Sequence, residues 1–124
     1  MDKPRPKYLN LVRIRLPLPG VVSILHRVSG AALFLFLPFV LTLFEMSLDT
    51  AQTFARFKGV FSHWAIKLML IGLLWAYLHH LCAGVRHLAL DLHYGTDLAA
   101  ARTSSILVFA VSIALTLAVA VMIW

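Results

Sequence analysis

Apolar residues run almost unbroken through three stretches of the chain, and the charged residues fall between them. Val28 to Phe44 carries no Asp, Glu, Lys or Arg, nor does Leu68 to Val85, nor Ser104 to Trp124. A hydrocarbon core about 30 Å thick takes roughly 20 apolar residues in a helix, so the pattern predicts an all-α membrane protein with three transmembrane helices, over about residues 21–48, 61–90 and 104–124. Pro38 is expected to bend the first of them. No internal repeat, heptad seam or low-complexity tract stands out, and the whole chain reads as a single membrane domain.

The connecting segments have their own character. Residues 1–20 form a basic tail in which Pro4, Pro6, Pro17, Pro19 and Gly20 discourage any long helix, so this tail is expected along the membrane surface. Glu45, Asp49, Gln52, Arg56 and Lys58 mark an extramembrane connection with a short amphipathic turn. Residues 91–103 read as a second loop, and Trp124 closes the third span at an interface.

Composition agrees: at 61% apolar and 13% charged residues, a water-soluble domain of 124 residues would lack the polar surface to cover itself. The formal net charge of +6 does not point to nucleic acid, because five of the basic residues, Lys3, Arg5, Lys7, Arg13 and Arg15, precede the first span. Arg86 and Arg102 flank the second loop, against Arg56, Lys58 and Lys67 around the first. The positive-inside rule then puts the N-terminus and the second loop on the cytoplasmic (or matrix) side. Cys82 stands alone, which excludes a disulfide framework and a zinc site of the usual spacing. The start lacks an apolar core with a cleavage site, so no signal peptide is expected.

That topology brings the start of the first span and the end of the second to one face, where the polar residues concentrate. The first cluster is Ser23-Ile24-Leu25-His26-Arg27-Val28-Ser29-Gly30, with positions 23, 26, 27 and 30 sharing one helical face. An Arg at a helix mouth ordinarily snorkels to lipid phosphates. Its neighbours support a second reading, in which Ser23 and Arg27 donate to the oxygens of a buried carbonyl ligand such as a quinone. His26 suits an acidic group or proton delivery.

The second cluster is His79-His80-Leu81-Cys82-Ala83-Gly84-Val85-Arg86-His87, in which His80, Gly84, His87 and Asp91 form a single stripe. At about 1.5 Å per residue, His80 sits roughly 9 Å deeper than Arg86. An imidazole in the bilayer needs a metal or a hydrogen-bond partner; an interhelical hydrogen bond is the common solution, and haem iron is another. Gly84 favours the second for His80, because it leaves room for a flat macrocycle one turn away, and Arg86 and His87 lie nearer the surface where propionates would end. His79 points about 100° away and is expected to make an interhelical or lipid-interface polar contact. His63, on the far side, and His93, in a loop, are not favoured as ligands.

Taken together, these motifs resemble the cytochrome b556 subunits of succinate:ubiquinone oxidoreductase, respiratory complex II. Arg5-Pro6, the Ser23 to Ser29 run, and His80 followed by Gly84-Val85-Arg86-His87 and Asp91 carry the likeness over nearly the whole chain. The resemblance implies half of a two-chain anchor bundle, with His80 an axial ligand of haem b, Ser23 and Arg27 in the quinone pocket, and His26, Arg86 and His87 near the propionates. It implies a second small anchor subunit with the other axial ligand, a flavoprotein subunit carrying FAD, and an iron-sulfur subunit that passes electrons to ubiquinone. Haem b would serve as a side acceptor and as structural cement.

This chain has neither a Rossmann glycine fingerprint nor a cysteine cluster, so it is not expected to oxidise succinate alone. The implied location is the bacterial inner membrane, or the mitochondrial inner membrane for a eukaryotic chain. Two alternatives stand beside this: the anchor of a quinol:fumarate reductase, which runs the same site in reverse, and a non-redox assembly or transport subunit whose histidines only join helices.

Overall fold

The structure, a computed structural model, describes residues 14–124; Lys3, Arg5, Lys7 and Arg13, with the Arg5-Pro6 pair, lie outside the described residues. Four helices follow one another: α1 (Leu18–Leu48), α2 (Ala51–Ser62), α3 (Trp64–Asp91) and α4 (Leu98–Ile123). Among the described residues all regular structure is helical, and α1, α3 and α4 are long and apolar enough to cross a membrane. The three spans read from the charge-free runs are therefore present.

Their ends are set by capping chemistry, which differs from the limits that charge suggests. α1 starts at Leu18, with Pro17 as its N-cap and Pro19 in the first turn. Prolines are tolerated there because first-turn N–H groups have no intrahelical partner to lose. α1 then continues through Pro38, whose carbonyl accepts a 2.9 Å hydrogen bond from the Thr42 hydroxyl.

Beyond it, α2 forms a full 12-residue helix where the sequence suggested only a turn. A reciprocal capping box starts it: Thr53 N–H donates to Thr50 Oγ1 (3.2 Å) and Thr50 N–H to Thr53 Oγ1 (2.9 Å). Phe54, Phe57 and Phe61 line one side, with Lys58 Nζ 5.0 Å from the Phe54 ring centre.

At the next junction His63, which had no role in the sequence, caps α3 by accepting from Ala65 N–H at 3.3 Å. Tyr94 N–H to Ala89 O (3.0 Å) and His93 N–H to Leu90 O (2.9 Å) close the other end of α3. This is a Schellman pattern with His93 in the left-handed region (φ 64°), a position usually held by Gly. Asp97 Oδ2 then caps α4 through Ala100 N–H (3.1 Å), so the helix begins six residues before the uncharged run at Ser104. Arg102 interrupts the apolar run and not the helix.

Packing between spans relies on small residues. One residue from each span, Val22, Ala83 and Val108, makes the apolar centre, with Cys82 and Phe109 against it. On α3 the buried positions are Ala76, His79, Ala83 and Arg86, and on α4 they are Ser105, Val108, Ser112 and Thr116. They recur every three or four residues, the spacing of a knobs-into-holes seam between helices. The seam escapes a search for Leu or Ile heptads because it is written in Ala, Ser and Thr. Each buried hydroxyl is satisfied within its own helix: Ser105 donates to Ala101 O (2.7 Å), Ser112 to Phe109 O (3.2 Å) and Thr116 to Ser112 O (2.7 Å).

The outer faces stay apolar and uncovered, as at Phe34 (81% exposed) and Met122 (84%), which suits lipid rather than water. Arg86 bonds to the start of α4, and His26 lies against His87, so the starts of α1 and α4 and the end of α3 meet at one face. At the other face Lys67 Nζ sits 5.6 Å from the Trp124 ring centre. Replacing fully buried Ala83 with Leu overfills the seam and should cost about 1–3 kcal/mol. Resistance of the purified protein to SDS should fall for Ala83→Leu and stay constant for Val121→Leu on the exposed face.

Candidate functional site

The two polar clusters meet where α1 crosses α3. α1 contributes His26, Ser29 and Gly30, and α3 contributes His80, Gly84 and His87. His80 Nδ1 lies 2.9 Å from the His26 carbonyl and 3.2 Å from Ser29 Oγ. A carbonyl only accepts, so Nδ1 must carry the hydrogen, and in the neutral ring Nε2 then holds the lone pair. Ser29 completes the group by donating to the same carbonyl at 3.0 Å.

Gly30 makes the approach possible. A Cβ at this position would lie 2.8 Å from His80 Cε1 and 3.3 Å from Nδ1, too close for the ring to stay where it is. Sequence reasoning placed Gly30 on the polar face without giving it a role. The available signal was a residue with no side chain one turn beyond His26, on a stripe otherwise made of donors and acceptors.

Gly84, singled out for the room it leaves, has a different neighbour: a Cβ there would meet His26 Nε2 at 3.5 Å, an ordinary contact. The space in front of it holds the His26 imidazole. That ring stacks on His80 (centres 4.2 Å apart, planes 10° apart) and tilts against His87 (5.0 Å, 54°). Three half-buried imidazoles thus form a row at the mouth of the α1/α3 crossing. Beside them Ser23 is half-buried and Arg27 exposed.

Arg86 is not part of this row. It is one residue from His87 and therefore about 100° around the helix, which turns it toward α4. Only 8% exposed, it donates through Nε to Ser104 Oγ (2.9 Å) and through a terminal nitrogen to Ala101 O (3.4 Å). His79, on the same side of α3, is completely buried between Trp75 (5.2 Å between ring centres) and Phe109 (5.3 Å). Neither of its nitrogens makes a hydrogen bond of full geometry among the described residues, but the Val22 backbone of α1 faces the ring, so its polar neighbour is on the adjacent helix.

Deeper in the membrane the crossing opens into an apolar groove of about 400 Å³ between α1 and α3, walled by Leu33, Leu37, Val40, Leu70, Leu74 and Tyr77. It begins one turn below Gly30 and His80. Among the described residues no three His, Cys, Asp or Glu side chains converge as a closed metal site. What the site offers is one fixed imidazole with a spare lone pair, flanked by two more imidazoles and an Arg, above an apolar slot.

The model of the succinate dehydrogenase/fumarate reductase transmembrane subunit family matches residues 1–119, which includes both polar clusters. Relatives named succinate dehydrogenase cytochrome b556 subunit are similar over most of their length. The one from Coxiella burnetii is 36% identical over 126 residues, covering 100% of both chains. That of Paracoccus denitrificans is 33% identical over 90% of this chain and 85% of its own, and that of Rickettsia felis 31% over 91% and 88%. With three membrane spans, bacterial relatives and a match that runs through the whole imidazole row, the chain is a multi-pass bacterial inner-membrane protein and belongs to the succinate dehydrogenase/fumarate reductase transmembrane subunit family.

Proposed function

We propose that this chain is the larger cytochrome b anchor of a succinate:ubiquinone oxidoreductase, that His80 would hold through Nε2 the iron of a haem b shared with a second small anchor, and that Ser23 and Arg27 line the ubiquinone-reduction site. The observation that carries the reading is the tethering of His80: Nδ1–H is tied to the His26 carbonyl, Gly30 makes room for the ring, and Nε2 is left without a hydrogen-bond partner among the described residues. Iron-ligating histidines are oriented by such a bond from the other ring nitrogen, which fixes the tautomer and makes the ligand more basic.

The surrounding residues fit the group. Apolar walls below suit a macrocycle edge, and His26 and His87 can donate to its carboxylates at the mouth, with exposed Arg27 adding positive charge. Arg86 faces α4 and is left out of that set. Haem b, when bound, supplies a one-electron acceptor beside the quinone and joins the two anchors. Succinate oxidation belongs to flavoprotein and iron-sulfur partners, since this sequence contains neither a dinucleotide fingerprint nor a cysteine cluster.

At the quinone, the chain's task is binding and charge compensation. The Ser23 hydroxyl can hold one carbonyl oxygen in orientation, while the Arg27 guanidinium favours the negative charge that builds as electrons arrive from the partner's cluster. The half-buried His26 can pass protons from the surface to the reduced oxygens. The basic residues before α1 and around the second loop support a mouth on the cytoplasmic side, from which those protons would be drawn.

His80→Ala should abolish or visibly shift the b-type band in a reduced-minus-oxidised spectrum of the purified complex, and an unchanged band would remove His80 from the iron. Gly30→Val should perturb the same band while leaving every ligand present, because its side chain meets the His80 ring; a wild-type spectrum would count against that contact. Arg27→Ala should slow ubiquinone reduction by succinate about a hundredfold while sparing reduction of a soluble dye, the size of effect seen when one charge-stabilising donor is removed. Equal loss in both assays would place Arg27 outside the quinone site.

A further inference from the structure

The far side of α3 carries a second cavity. Leu81, Cys82, Val85 and Arg86 of α3 and Ser104, Leu107, Val108 and Val111 of α4 line a groove of about 390 Å³ that opens to the lipid. Its walls are apolar and outward facing: Leu81 is 50% exposed, Val85 61% and Leu107 56%. The stripe bearing His80 and His87 lies on the other side of the same helix, so this groove is separate from the imidazole row.

One end of the groove is charged. Arg86, a residue only 8% exposed, sits there, and its partners among the described residues, Ser104 Oγ and Ala101 O, are neutral. A buried cation held only by neutral oxygens is costly, and the usual remedy is an anion. Among the described residues no carboxylate pairs with it: Asp91 stands exposed at the close of α3, and Asp97 is committed to the α4 cap. Arg102 is exposed nearby and adds to the positive field.

Depth completes the picture. Arg86 is five residues from the end of α3, or about 7 Å, which sets its guanidinium just beneath the headgroup layer. From Ser104 to Val111 the groove wall then descends about 10 Å into the hydrocarbon. A cation at headgroup depth above an apolar slot fits an amphiphile with an anionic head and an alkyl tail.

We propose that the α3/α4 groove holds one acyl chain of an anionic phospholipid, whose phosphate pairs with the N–H groups of Arg86 that make no hydrogen bond among the described residues. Ser104 orients the guanidinium toward the groove mouth and α4 supplies the second wall. The lipid thereby neutralises a charge buried between two spans, and the complex selects anionic lipid at this face.

Reconstitution of the intact complex in nanodiscs of mixed phosphatidylglycerol and phosphatidylcholine, followed by native mass spectrometry of the released complex, tests this. Wild-type protein should retain phosphatidylglycerol preferentially, and Arg86→Gln should reduce that preference about tenfold, the worth of one charged hydrogen bond. Arg86→Lys, which keeps the charge, should recover part of it. Leu107→Trp fills the groove from an exposed position and keeps the Arg86 charge, and should also release the lipid, which guards against misfolding of the Arg86 variants. Retention unchanged in both Arg86→Gln and Leu107→Trp would overturn the proposal. So would a cross-link from Leu107→Cys to another subunit, which would show the groove filled by protein, or an Arg86→Gln variant that shifts the haem band and keeps its lipid.

Discussion

The bond from His80 to the His26 carbonyl joins α1 to α3 at the one place where both spans carry polar side chains. That carbonyl also receives the Ser29 hydroxyl, so the contact cannot shift without leaving donors unpaired in an apolar setting. Each such donor costs about 1–3 kcal/mol when stranded. Register, ring orientation and tautomer are therefore fixed together. The chemistry available at the site, a single lone pair aimed away from the tether, is a consequence of how the two helices are joined.

α3 serves two neighbours with two different faces. Gly84, His80 and His87 look toward α1, while His79 and Arg86 meet α4 and Ala83 packs between Val22 of α1 and Val108 of α4. The second face holds the bundle together through small residues and buried hydroxyls, which let backbones approach closely where lipid offers no hydrophobic drive for helices to associate. Histidines at 79 and 80 illustrate the division: adjacent in sequence, one packs among aromatic rings in the core and the other opens onto the functional crossing.

Much of this could be read from the sequence, for physical reasons that also explain what could not. Charge-free runs mark the hydrocarbon layer reliably, so the three spans and the meeting of the Ser23–Gly30 and His80–His87 segments at one face followed directly. Charges mark the bilayer and not the helix, which is why α4 reaches back past Arg102 to its Asp97 cap and why α2 was read only as a turn. Depth along the helix, like the resemblance, groups Arg86 with His87, and it is the bonds to Ser104 and Ala101 that show it facing α4. Gly30 went unassigned because its contribution is the absence of atoms beside His80, visible only once the two helices are brought into contact.

A density map of the assembled complex, resolved well enough to orient the His80 imidazole, tests the central claim most directly. The account predicts Nδ1 within hydrogen-bond distance of the His26 carbonyl and Nε2 bound to the iron of haem b, with Gly30 against the ring. An iron bound elsewhere, or a His80 ring detached from α1 and turned toward acyl chains, would contradict it.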